Sequence, residues 1–241
     1  NDILDVILQA PEEELLPWEE VTLPSRGLYY DGRIPGGVVK IRPMGIHADK
    51  ILATARLAQS GQSIDYLLEN CVQLTNGFNP IDLLSGDRTF LLYLLRGVTH
   101  GNIYEFVIKC NQCQAPQPCS YDLNQLASTI TFGNPAIKEP ARVDLPYLSS
   151  IAGKDTWVTV RFLRGSDVSK IANRQRFNKR VINAAGNRNK PTIDESLTEN
   201  LHLAVTSFMG EVTDPSKIKE LISKLHSSDT AKIREFLREN S

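Results

Sequence analysis

Cys110, Cys113 and Cys119 fall in one short run, Lys109-Cys-Asn-Gln-Cys-Gln-Ala-Pro-Gln-Pro-Cys-Ser-Tyr-Asp-Leu123, so three of the chain's four cysteines lie within ten residues. The first two form a C-x-x-C, a spacing at which two thiolates can face one metal ion across a tight turn. Ile103-Tyr104-Glu105-Phe106-Val107-Ile108 ahead of them reads as a strand. A strand running into C-x-x-C is how a zinc ribbon or knuckle begins, and a Pro-rich bend places Cys119 where it could fold back toward the same ion. A closed zinc or iron–sulfur site takes four protein ligands, and this run supplies three. The fourth is expected from Cys71, from a histidine, with His100 next in order, or from another chain. Free thiols in a turn, or a disulfide between two of the three, are the plainer alternatives.

Composition sets wide bounds. The chain has 241 residues, 41% hydrophobic content and a formal charge of −1, enough for one large or two small cores. No apolar run approaches the ~20 residues of a membrane span, and the start shows no signal peptide. An opening Asn1 points to further residues ahead of it. Clustered cysteines do not make a secreted disulfide framework, so a reducing compartment is expected. Charge is uneven along the chain. Asp2, Asp5, Glu12, Glu13, Glu14, Glu19 and Glu20 stand without a Lys or Arg in residues 1–25. Between Arg161 and Lys190 only Asp167 opposes Arg161, Arg164, Lys170, Arg174, Arg176, Lys179, Arg180, Arg188 and Lys190. A basic stretch of this kind can bind nucleic acid, but with only two aromatics, Phe162 and Phe177, it reads better as a solvated face or one that meets an acidic protein.

Periodicity divides the chain. Residues 1–20 form an extended acidic arm without a core of its own. Residues 21–44, with Asp31-Gly32 and Pro35-Gly36-Gly37 as turns, read as a β-hairpin or small sheet. Helical spacing follows: one helix ending near Gly61, one carrying Cys71 on its apolar side after Ser63, and one over residues 86–96. Residues 129–132 and 156–163 are strand-like. Helices are expected over residues 168–183, 195–209, 215–225 and 230–239, with a polar loop at 185–192. The fold class is α+β: the arm (1–20), an α+β core over 21–165 with a cysteine-bearing insert at about 102–135, and a helical part over 166–241.

No catalytic pattern stands out. The chain has no G-x-S-x-G, no G-x-x-x-x-G-K and no H-E-x-x-H. His47, His100, His202 and His226 are scattered.

An ordered set of motifs carries a resemblance over residues 20–125. Leu23-Pro24-Ser25-Arg26-Gly27-Leu28-Tyr29-Tyr30 is followed by Ile41-Arg42-Pro43-Met44. Asp82-x(4)-Asp87-x(3)-Leu91-Leu92-x-x-Leu95-Arg96 comes next. His100-Gly101-x-x-Tyr104-x-Phe106 then runs into Cys110-x-x-Cys113. In this order they resemble the baseplate hub family of contractile-tailed, T-even-type bacteriophages. The resemblance implies a non-enzymatic structural or assembly protein in the virion tail, made in the host cytoplasm. It implies homo-oligomeric contacts and, as partners, other hub and tail proteins and the tape measure protein, with no membrane and no nucleic acid. Many members carry a second C-x-x-C after the last helix; this sequence ends at Ser241 without one. That departure leaves Zn and 4Fe–4S both open for a centre held by Cys110, Cys113, Cys119 and Cys71. The alternative function is a nucleic-acid-binding protein of zinc-ribbon type.

Overall fold

In the computed structural model, residues 8, 15–127, 129–184 and 196–240 are described. The α+β expectation holds. Three small antiparallel sheets sit among helices. Most of the acidic arm and the 185–192 loop lie outside the described residues.

Strand β1 (Glu19–Thr22) pairs with β2 (Val38–Ile41), which alternates exposed Val38 and Lys40 with buried Val39 and Ile41. Helices α1 (Ile46–Ala53) and α2 (Ala55–Ser60) meet at Thr54, whose extended backbone breaks the single helix expected there. Helix α3 (Ser63–Cys71) leads into the short strand β3 (Val72–Gln73), which pairs with β2. Helix α4 (Ser85–His100) then buries Leu91 and Leu95.

Between β1 and β2 the chain makes a tight detour whose backbone is held by glycine. A Cβ on Gly27 would lie 2.1 Å from the Ile34 carbonyl oxygen, and one on Gly37 would lie 2.7 Å from the Gly27 nitrogen. Both residues have positive φ, so two strands of backbone cross where no side chain fits. The detour is fastened from inside. The buried Tyr30 hydroxyl donates to Asp87 Oδ2 (2.6 Å) and accepts from the Leu84 amide (2.8 Å), while the Ser25 amide donates to Asp87 Oδ1 (3.0 Å). Burial, and then the Asp87 charge, push the Tyr30 phenol upward, so it stays protonated and is the donor. Burial pushes the Asp87 carboxyl up as well, opposed by the bonds from Ser25 and Tyr30.

After α4 come β4 (Ile103–Lys109) and β5 (Pro116–Asp122), paired with each other alone, and then a short helical turn at Asn124–Ala127. Residues 129–132, expected as a strand, are irregular. A second core forms around β6 (Ala141–Asp144), α5 (Pro146–Ala152), β7 (Trp157–Val160), α7 (Ser196–Ala204), β8 (Val205–Phe208), α8 (Pro215–Lys224) and α9 (Ser227–Asn240), with α6 (Gly165–Ala184) running between β7 and α7 in the chain. Strand β7 is central, between β6 and β8. The helix expected over 195–209 stops at Ala204. Val205-Thr206-Ser207-Phe208, which includes two β-branched residues, extends instead to pair with β7, where Thr159 Oγ1 meets Ser207 Oγ at 2.6 Å.

Ile137, Phe236 and Leu237 pack against both cores, and the segment after β7 stitches them together. The Ser85 amide donates to the Leu163 carbonyl (2.8 Å) and the Gly165 amide to the Leu83 carbonyl (2.9 Å). Arg164 forks onto Glu139 (3.2 and 2.9 Å) and donates to the Tyr29 carbonyl (3.0 Å). Arg161 forks onto buried Asp167 (2.8 and 2.9 Å). Burial pushes the Asp167 carboxyl up, but Arg161, the Arg164 amide and Lys170 outweigh it and the net direction is down. Arg174 pairs with Glu199. For Arg161, Arg164, Lys170 and Arg174 the acidic partner expected for this basic stretch is the chain itself, supplied by Asp167, Glu139 and Glu199.

The Tyr30–Asp87 node yields a stability prediction. Tyr30→Phe leaves the Leu84 amide and one Asp87 oxygen buried without their partner, and one such orphan costs about 1–3 kcal/mol. Urea unfolding of Tyr30→Phe should show at least that loss. Tyr29→Phe removes only a long, exposed bond to the Asn134 carbonyl (3.4 Å) and should stay within about 0.5 kcal/mol of the parent. Equal stabilities for the two variants would contradict the role given to the node.

Candidate functional site: a protruding hairpin

Helix α4 ends at Gly101 (φ 82°), whose carbonyl accepts from Arg96 Nη1 (3.0 Å). The chain turns directly into β4. The Leu123 amide donates to the Asn102 carbonyl (2.8 Å), closing the base of a hairpin in which Ile103 pairs with Asp122 and Lys109 with Pro116. Seven residues of strand carry the tip about 23 Å from this base.

Every residue of β4 is exposed, and so are most of β5. Alternation puts Tyr104, Phe106 and Ile108 on one face with Tyr121 and Cys119, and Ile103, Glu105, Val107 and Lys109 on the other. The Tyr104 and Phe106 rings stack at 5.3 Å, and the Arg96 guanidinium lies 5.4 Å from the Tyr104 ring centre. Val107 is 65% exposed and Ile103 52%. A lone two-stranded ribbon is marginal in water, and this one shows six large apolar side chains, four on one face and two on the other. At its base an open cleft of about 580 Å³ runs along α4, lined by Phe90, Tyr93, Leu94, Val98, Asn102 and Leu123 among others. The cleft reaches the ribbon's base at Asn102 and Leu123.

The cysteines divide into a pair and two separate residues. Cys110 and Cys113 meet at the tip: the Cys110 amide donates to the Ala115 carbonyl (3.0 Å) and the Gln114 amide to the Cys110 carbonyl (2.9 Å). The Cys113 and Gln112 amides and the Cys113 thiol turn toward the Cys110 sulfur and hold its thiol below the ordinary range. Cys119 pairs with Phe106 in the ribbon, four residues back from the turn and about 13 Å along the strand. Pro116 and Pro118 do not bend the chain back; they are part of β5. Cys71 ends α3 within the first core, fully buried, and burial pushes its thiol up. His100 lies at the base of the ribbon, the end remote from the tip. Sulfurs bound to one zinc at about 2.3 Å lie within about 4 Å of each other. The chain brings together Cys110 and Cys113 and leaves Cys119 and Cys71 apart from them and from each other. Among the described residues no group of three or more His, Cys, Asp or Glu side chains is placed to hold a metal ion. Within one chain, the pair fits half of a four-ligand site.

Two further groups escaped sequence reasoning. Tyr30 and Asp87 were visible only as motif letters, because their bond joins segments 57 residues apart. Glu139, which receives Arg164, follows no local signal. Among the described residues no helix is long and apolar enough to cross a membrane.

A body of two stitched cores that holds out an apolar ribbon suits a part of a larger assembly. Comparison with known proteins agrees. The family model for T4 bacteriophage base plate protein matches residues 27–240, which takes in the ribbon, the second core and most of the first. No curated protein and no solved structure matches the chain. The match spans most of the chain and bears out the resemblance carried by its motifs at the level of the baseplate: the chain belongs to the T4 bacteriophage base plate protein family, a structural protein of the phage tail.

Proposed function

We propose that this baseplate protein acts in the central hub, as a non-enzymatic structural or assembly component that joins the hub to the tail tube and tape measure protein. The observation that carries the reading is the β4–β5 ribbon. Its exposed aromatic face, with a cleft bordering its base, is mounted on a body in which Arg161, Arg164 and Arg174 find carboxylates of the same chain. Such a surface gains by being covered, and a hub is where several chains converge. The basic stretch gives little support to the nucleic-acid alternative, because Arg161, Arg164 and Arg174 are committed to carboxylates of the same chain.

The metal centre belongs to the same proposal. Cys110 and Cys113 would be two of its thiolate ligands at the ribbon tip, with the remaining ligands brought by a neighbouring chain. Bound there, zinc or an iron–sulfur cluster would cross-link the tip. The residues themselves pre-form the turn and lower the Cys110 thiol, which favours the thiolate that metals bind.

Chemical cross-linking of purified tails with mass-spectrometric readout tests the hub placement. Lys109, on the ribbon, should join to central hub or tape measure peptides; links confined to peripheral baseplate proteins would overturn it. Elemental analysis and absorption spectra of anaerobically prepared tails, and of the free protein, test the metal. Zinc, or the brown colour of a cluster, should vanish in Cys110→Ser and Cys113→Ser and persist in Cys71→Ser. Absence of both metals from tails that contain the protein would discard it.

A further inference from the structure

The two edges of the ribbon are not equivalent. The Cys110–Ala115 and Leu123–Asn102 bonds show that even-numbered residues of β4 and odd-numbered residues of β5 face each other across the ladder. The opposite parity points its backbone outward. On β5 that outward set includes Pro116 and Pro118, which have no N–H to offer, so this edge is blocked. On β4 it is Ile103, Glu105, Val107 and Lys109, each with an N–H and C=O facing away from β5. In the three sheets described, β4 pairs with β5 alone. One edge is closed by design of its residues, and the other is an open template.

The sequence of the open edge is complementary to itself. Antiparallel pairing of β4 with a second β4 about a two-fold axis at Val107 places Val107 against its own copy. It places Glu105 opposite Lys109 of the other chain, twice. Opposite charges directly across a ladder favour pairing, and like charges oppose it. Moving the axis to Glu105 sets Glu105 against Glu105, and moving it to Lys109 sets Lys109 against Lys109. An axis at Phe106 leaves Glu105 facing Val107 and Lys109 facing Ile103. Only the Val107 axis matches both charges while keeping five residues of each strand paired. On the other face the same register puts Phe106 opposite Ile108, which makes one apolar stripe across four strands.

We propose that two copies of this chain associate through the outward edge of β4, forming a four-stranded β5–β4–β4–β5 sheet with its two-fold axis at Val107. The interface is isologous: the same edge serves both copies. It turns a marginal two-stranded ribbon into a sheet wide enough to be stable. The register is fixed by the Glu105–Lys109 pairs, and slippage by one residue would carry the aromatic stripe to the wrong face. This inference goes beyond the hub assignment and does not depend on it, since pairing of free copies is independent of where the chain sits in the baseplate.

Sedimentation equilibrium of the purified full chain over a wide concentration range tests it. The parent should show a monomer–dimer equilibrium. Val107→Pro removes only an outward N–H, so it should abolish the dimer while circular dichroism and thermal unfolding of the body stay unchanged. Should the proline disturb the ribbon, charge reversal gives a second reading. Glu105→Lys alone and Lys109→Glu alone each create like-charge pairs and should weaken the dimer about tenfold or more. The double exchange restores opposite charges and should return dimerisation to near the parent level. A chain that stays monomeric at the highest soluble concentration overturns the proposal. So does a dimer that is indifferent to the single reversals, because its interface then lies elsewhere.

Discussion

The bond from Tyr30 to Asp87 is the contact on which the rest of the architecture hangs. It joins a detour full of left-handed backbone to the first turn of α4. The same hydroxyl takes the Leu84 amide, which fixes where that helix begins. Helix α4 then runs sixteen residues to Gly101 and delivers the chain into β4, so its start and direction set where the ribbon emerges. Leu83, Ser85 and Leu84 also meet the segment after β7, so the node stands beside the seam between the two cores. A buried hydroxyl and carboxylate are costly groups unless fully paired. Here their needs are met by a single geometry, and that requirement is what selects it.

The ribbon inverts the logic of the body. In the body, charges that face inward are matched: Asp167 by Arg161, Glu139 by Arg164 and Glu199 by Arg174. In the ribbon, apolar groups face outward and one row of backbone donors and acceptors is left open. Soluble proteins protect such edges with prolines, charges or cover. β5 has its prolines. β4 has one acid and one base, spaced so that a copy of the strand satisfies both. The same element therefore excludes most partners and specifies a few.

Much of this was legible in the sequence. The strand over residues 103–108, the C-x-x-C turn and the helical spacing of residues 86–96 all rest on local rules and appear as expected. Asp31-Gly32 and Pro35-Gly36-Gly37 marked a turn-rich segment, though not the crossing of Gly27 with Gly37 that explains it. Elements that depend on distant partners were not legible. Val205–Phe208 has spacing that fits a helix or a strand, and only the vacant edge of β7 decides it. Pro116 and Pro118 read as a bend until the parity of the ladder shows that they sit where no N–H is needed. The basic run looked unpaired because Glu139 and Glu199 lie outside it. The motifs carried the family, and physical chemistry then assigned its letters to a buried bond and an exposed ribbon.

A fixed body presents an unsatisfied strand edge. Amide hydrogen exchange reads both halves of it at once, in the dilute free chain and in purified tails. The Ser25 and Leu84 amides, bonded to Asp87 and Tyr30, should exchange slowly in both. The outward amides of Ile103, Glu105, Val107 and Lys109 should exchange freely in the dilute chain and become protected in tails. If those outward amides are already protected in a dilute monomer, or remain unprotected in the assembled tail, the edge is not the docking element described and the account fails.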